Sequence, residues 1–154
     1  MRRRARRRLC IAFVFALPFT AAGVGTEEDG PTLDPDFAAG KRAIEDQRWE
    51  VAIPLLESAA LRDTRNADIE NYLGFAHRKL GRMDEAFAHY GRALKLNPRH
   101  KGAHEYAGEA SLMVGDLAAA EKHVAALEAI CLLPCEELED LQREVLAYKA
   151  RAAR

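Results

Sequence analysis

A repeat of 34 residues constrains this chain more than any other feature it carries. Shifting the sequence by that length lays Gly74 on Gly108, Gly81 on Gly115 and Ala86 on Ala120. Shifting it the other way lays Gly74 on Gly40 and Ala86 on Ala52. A fixed period of about 20 to 50 residues marks a stacked-repeat architecture, because each unit cannot bury its own apolar face alone. The expected fold is all-α: a solenoid of three helical hairpins in frames 33–66, 67–100 and 101–134, closed by a capping helix over 135–154.

Local signals supply the helices within those frames. Asp34-Pro35 reads as an N-cap followed by proline at the first helical position, starting a helix to about Asp46. The return helix spans about Trp49 to Leu61 and contains Pro54, which costs a backbone bond near its first turn. In the second frame, Asp68 is expected to cap a helix through Leu80, with Gly81 at its left-handed end. Met83 to Leu96 returns, and Asn97-Pro98 stops it. The third frame repeats the plan with Lys101 to Val114, Gly115, and Asp116 capping a helix to about Cys131. In the last segment Leu138, Leu141, Val145 and Tyr148 recur at helical spacing opposite Glu136, Glu137, Glu139, Asp140, Arg143 and Lys149, as a cap for the open end of a stack requires.

The first 22 residues have a different character. Met1 to Cys10 holds six of the 23 Lys and Arg, and no Asp or Glu precedes Glu27. A basic start, the apolar run Leu9 to Ala22 and small residues at Thr20 and Ala22 describe a signal peptide cut after Ala22, followed by a flexible leader over 23–32. The run falls short of the roughly 18 to 20 residues a spanning helix needs, so no stable membrane insertion is expected after cleavage. The expected location is periplasmic or secreted. Removing six cations leaves 17 basic against 24 acidic residues, a net charge of −7, which speaks against nucleic acid as a partner. Cys10 leaves with the signal, so Cys131 and Cys135 are the expected disulfide of an exported chain. That bridge would close a five-residue loop and stabilise by roughly 2 kcal/mol.

Leu73-Gly74, Ala86, Tyr90, Ala93 and Pro98, with the turn Gly81 and Met83-Asp84-Glu85-Ala86, resemble the tetratricopeptide repeat family. Glu70 stands where the family has an aromatic residue and His77 where it has tyrosine. The third frame has Leu127 in place of a small residue and Leu132 in place of the closing proline. Together with the cysteine-bracketed CLLPCEELEDL, the arrangement also resembles small exported bacterial repeat proteins. The resemblance implies a scaffold that binds a protein or peptide along the first helix of each pair, in assembly or recruitment. The groove positions it implies are Phe37, Lys41 and Ile44, then Asn71, Phe75, Arg78 and Lys79, then Glu105, Glu109, Leu112 and Met113. This gives a basic middle and an acidic third repeat. The family's clamp for acidic C-termini is not reproduced, since Gly102, Glu105 and Tyr106 stand where cations are needed.

A second class of function is also open to the sequence: thiol-redox or metal handling by Cys131, Cys135 and nearby histidines. Their CxxxC spacing differs from the oxidoreductase CxxC. His100 and His104 are four apart, His77 replaces a packing tyrosine, and His89 and His123 recur at the repeat length. No nucleophile with a base, glycine-rich phosphate loop or zinc signature is present, so neither enzyme activity nor a cofactor is expected. Nothing in the sequence sets the oligomeric state.

Overall fold

The computed structural model describes residues 34–153; the expected signal peptide and leader lie outside them. Among the described residues there are seven α-helices: α1 Pro35–Glu45, α2 Trp49–Arg62, α3 Ala67–Lys79, α4 Met83–Leu96, α5 Lys101–Met113, α6 Leu117–Ile130 and α7 Glu136–Ala152. Consecutive helices pair as hairpins, and each hairpin packs on the next, so the fold is an all-α helical repeat. The seventh helix packs on both α5 and α6, as α5 packs on α3 and α4. It therefore takes the place of the first helix of a fourth hairpin.

Most helix starts follow from side-chain caps. Asp34 accepts from the backbone N–H of Asp36 and Phe37, and Asp116 accepts from that of Ala119. For α3 the cap is Asn66, two residues earlier than Asp68: its side chain accepts from the N–H of Asp68 and Ile69. Asp68 itself is inside the helix, where its charge suits the positive end of the helix dipole. His100 caps α5 through Nδ1. Pro54 is accommodated within α2 on its exposed side.

The repeat length also governs the hairpin turns. Gly81 and Gly115 have φ of +74° and +82°, and Gln47, which the period places on them, has φ of +57°. A left-handed residue bearing a Cβ carries a strain of roughly 1 to 2 kcal/mol, which the first turn bears and the others avoid. That turn belongs to the hairpin with the fewest family residues. It is reinforced elsewhere: Arg62, at the end of α2, reaches Asp34 at 2.6 Å and Asp36 at 2.6 Å, and Ser58 Oγ donates to Asp36 at 2.7 Å.

Close approach of the helices depends on three glycines. A Cβ on Gly40 would lie 2.7 Å from the Leu56 side chain, and one on Gly74 would lie 2.6 Å from the Tyr90 ring. Leu56 and Tyr90 are equivalent residues of the second helices, one repeat apart. The next in that series is Val124, a smaller side chain, and there the pattern changes. A Cβ on Gly108 would instead meet Leu141 of α7, at 2.5 Å. Leu141 is fully buried with Ala120, Leu127 and Val145, and this cluster joins the cap to the last hairpin.

Candidate functional site

Side chains of the first helices, joined by Trp49 at the start of α2, form a connected ladder of aromatic and charged groups. Phe75 on α3 is central. Its ring lies 5.7 Å from Trp49 in an edge-on arrangement and 4.9 Å from Tyr106 on α5. The Lys79 ammonium lies 5.1 Å from the Phe75 ring, and the Arg78 guanidinium is 5.2 Å from Phe75 and 5.3 Å from Tyr106. Such contacts between cations and ring faces are attractive because the π cloud is negative. A step further out, Lys41 spans Phe37 and Tyr72 at 5.8 and 5.6 Å.

Two hollows open along this face. One, of about 330 Å³, is lined by Arg78, Glu109, Leu112 and Met113 together with Glu144 and Arg151 of the cap. The other, of about 420 Å³, lies between α3, α5 and α7 and is walled by Tyr72 and Tyr106. Five carboxylates line it, those of Asp68, Glu105, Glu136, Glu137 and Asp140, with no Lys or Arg among its lining residues. Three have partners at the edge: His100 Nε2 at 2.9 Å from Asp68, Lys101 at 3.3 Å from Glu137, and Arg143 at 2.6 Å from Asp140. Glu105 is half-buried, and its pKa is pushed up to about 7 by burial first and then by Glu109, Asp140 and Glu137, against which Arg78 acts only weakly. The Tyr106 hydroxyl is pushed up to about 12 by burial first and then by Glu105 and Glu109.

These positions alter the sequence reading in three ways. Phe37 and Ile44 belong to the core, at 5% and 9% exposure, and are not available as anchors. Phe37 is covered by Tyr72, whose ring lies 5.9 Å away, and by Lys41. Arg78 is not a free groove cation: it is 7% exposed and its Nη1 pairs with Glu109 at 2.5 Å. The basic middle and the acidic third repeat thus neutralise each other at this pair, leaving Lys79 and Lys41 as the expected groove cations without an ion pair among the described residues. Asn71 is buried at 5% exposure, while Phe75, Glu105, Glu109 and Leu112 are half-buried and Met113 is exposed.

The cap residues of both hollows and the tyrosines Tyr72 and Tyr106 lie outside the groove positions that the resemblance implies. The signal for the cap lies in the helix starts. Lys101 and Glu136 are 35 residues apart, and the same step carries Glu105 onto Asp140 and Glu109 onto Glu144. A helix read only as a lid therefore extends the acidic side of the face.

Four of the five histidines lie away from this face, between the first and second helices of a hairpin, while His100 borders the second hollow. His104 and His123 lie with their Nδ1 atoms 3.0 Å apart, and His104 Nε2 donates to the carbonyl of Pro98 at 3.0 Å. With that proton committed, the His104 Nδ1 is the acceptor and His123 Nδ1–H the donor. One repeat earlier the same positions hold Glu70 and His89, 2.8 Å apart. No group of three or more metal-binding side chains converges among the described residues. Burial, and secondarily His104, holds the His123 pKa down to about 4. A histidine depressed in the folded state contributes stability that is complete above its unfolded pKa of about 6.5 and is lost as pH falls toward 4. The ring is only half-buried, so solvent screening reduces this to about 1 to 2 kcal/mol. Accordingly, the stability advantage of the wild type over His123→Gln is expected to shrink by that amount between pH 8 and pH 4.5 in urea unfolding. A constant difference across that range would contradict the assignment.

Cys131 and Cys135 are joined in the structure, with Cα atoms 6.2 Å apart, at the junction of α6 and α7. The enclosed Leu132 and Leu133 are 92% and 80% exposed.

An all-helical stack of hairpins with aromatic rings along its first helices defines a helical-repeat fold as a class. Within it, residues 67–100 match the model for the tetratricopeptide repeat. No curated protein matches the chain. Solved structures do. The translocator chaperone SycD of type III secretion in Yersinia enterocolitica is 20% identical, with a TM-score of 0.68 over 77% of this chain and 84% of that one. PcrH, solved with the chaperone binding region of PopD, is 21% identical, with a TM-score of 0.67 over 76% of this chain and 90% of that one. The first repeat domain of Spaghetti (RPAP3), bound to an HSP90 peptide, is 16% identical, with a TM-score of 0.68 over 81% of this chain and all of that one. At these identities the likeness is one of fold.

Proposed function

We propose that this protein is an exported, non-enzymatic scaffold that binds a peptide or protein segment along the face of α1, α3, α5 and α7, and so helps to recruit or assemble its partner. The observation that carries the reading is the Phe75 centre: an aromatic ring at the middle of an open face, flanked by Tyr106, Lys79 and two hollows. Half-buried aromatic rings with charged neighbours are the usual anchors of a binding surface, because they offer large contact area with little rotamer entropy to lose. The solved complexes support the direction, since PcrH holds a segment of PopD and the RPAP3 domain holds an HSP90 peptide. Export rests on the basic and apolar character of residues 1–22 and on the cysteine pair, whose oxidised form suits a compartment outside the cytoplasm.

Panning a random 12-residue peptide display library on the purified full chain tests the binding reading. Peptides that bind are expected to lose at least about tenfold in affinity with Phe75→Ala and severalfold with the exposed Lys79→Glu, each variant being checked for an unchanged helical spectrum. Peptides indifferent to both variants, or a library that yields no binder, would overturn it.

A further inference from the structure

The hollow between α3, α5 and α7 is built in a way that packing alone does not explain. Glu105 is a half-buried carboxylate among other carboxylates, a placement that costs stability whenever it is ionised. Asn71 lines the same hollow at 5% exposure, and its Oδ1, itself shut off from solvent, has no hydrogen-bond partner among the described residues. A buried acceptor without a donor is uncommon in native structures and carries a penalty. Gly102 borders the hollow next to the Asn71 amide: a Cβ there would lie 3.3 Å from Nδ2, so the absent side chain keeps this corner open. The hollow thus offers the carboxylate of Glu105, further negative charge and the rings of Tyr72 and Tyr106, all of which favour a positively charged donor.

From this geometry we infer that the hollow between α3, α5 and α7 is a subsite for a lysine or arginine side chain of the bound segment, held by Glu105 between Tyr72 and Tyr106 beside the Asn71 side-chain amide. The inference rests on the proposed peptide-binding face and adds the chemistry of its ligand. A metal ion is a poorer occupant, because no three carboxylate or histidine groups among the described residues converge closely enough to ligate one. A long stem with a terminal cation suits the shape better: the tyrosines form apolar walls and the charges are spread around the space. At about 420 Å³ the volume falls within the range of roughly 300 to 1,000 Å³ typical of ligand sites. The structure also contains an internal version of the contact, since the Lys41 ammonium already rests against the outer ring, Tyr72. Basic groups near the hollow, His100, Lys101 and Arg143, are engaged with carboxylates at its edge and leave Glu105 without an ion pair among the described residues.

The test uses small probes on the full chain, followed by NMR. Nα-acetyl-lysine-methylamide at millimolar concentration is expected to shift the signals of the Asn71 side-chain amide and the Gly102 backbone. The norleucine analogue, which has the stem without the charge, should leave them in place. Glu105→Gln should abolish the lysine response while its melting temperature at pH 8 stays equal or rises, because a destabilising charge has been removed. Equal shifts with both probes, a response that survives Glu105→Gln, or no response would overturn the subsite. A stronger response to cadaverine than to the lysine amide would overturn the peptide source. Peptides that depend on Phe75 but carry no cation would refute this inference and leave the binding face intact. A lysine response in a chain that selects no peptide would instead refute the peptide-binding reading.

Discussion

Leu141→Ala is expected to cost about 3 kcal/mol in urea unfolding and to loosen the capping helix from the last hairpin. Leu141 is fully buried against Ala120, Leu127 and Val145, so truncation removes transfer energy and leaves a cavity that neighbours fill only in part. Its partner is Gly108, above which no Cβ fits. Gly108→Ala should therefore destabilise by about 1 to 3 kcal/mol through overpacking, less the roughly 1 kcal/mol that alanine contributes within a helix. The double variant should cost less than the sum of the two by about 1 kcal/mol, since the new methyl then meets a shortened neighbour. Strict additivity would mean that the cap is not seated on Gly108. Because α7 walls both hollows, the same loosening should weaken any ligand of the face.

Arg78→Ala is expected to destabilise by about 2 to 4 kcal/mol. The guanidinium is 7% exposed and pairs with Glu109, which is 23% exposed, so removing it strands a largely buried carboxylate near Glu105. Breaking such a pair costs more than the pair itself contributes. The contacts with the rings of Phe75 and Tyr106 go with it. Two further variants check the cause. Arg78→Met with Glu109→Leu should recover most of the loss, because no charge is left without a partner. Arg78→Lys should recover only part, since an ammonium cannot reproduce the planar stacking of a guanidinium between two rings. If Arg78→Ala falls within about 0.5 kcal/mol of wild type, the pair is not buried in solution and Arg78 is a surface cation after all. It follows that a substitution at Arg78 reports on folding before it reports on binding. Tests of the face belong at Phe75, Lys79 and Glu105.

This pairing changes the electrostatic character of the face. With Arg78 engaged by Glu109, Lys41 and Lys79 remain on the side of α1 and α3, and the carboxylates of Glu105, Glu136 and Glu137 concentrate toward the cap. A segment lying along the face would meet opposite signs at its two ends, which gives it a preferred direction as well as a register.

Particular residues separate what is local from what is not. The 34-residue period, the caps Asp34 and Asp116, the left-handed turns at Gly81 and Gly115 and the apolar stripe of α7 are each set by a few neighbouring residues, and all are legible in the sequence alone. Even the equivalence of Gln47 with those glycines is a matter of counting. The partnership of Arg78 with Glu109, the covering of Phe37 by Tyr72 and the seat of Leu141 on Gly108 are not legible in this way. These contacts join helices of successive repeats, and they depend on rotation and spacing fixed by the packing of the hairpins on one another. Periodicity identifies which helix face turns inward; only the stacked helices decide which charges are neutralised within that face and which remain to meet a ligand.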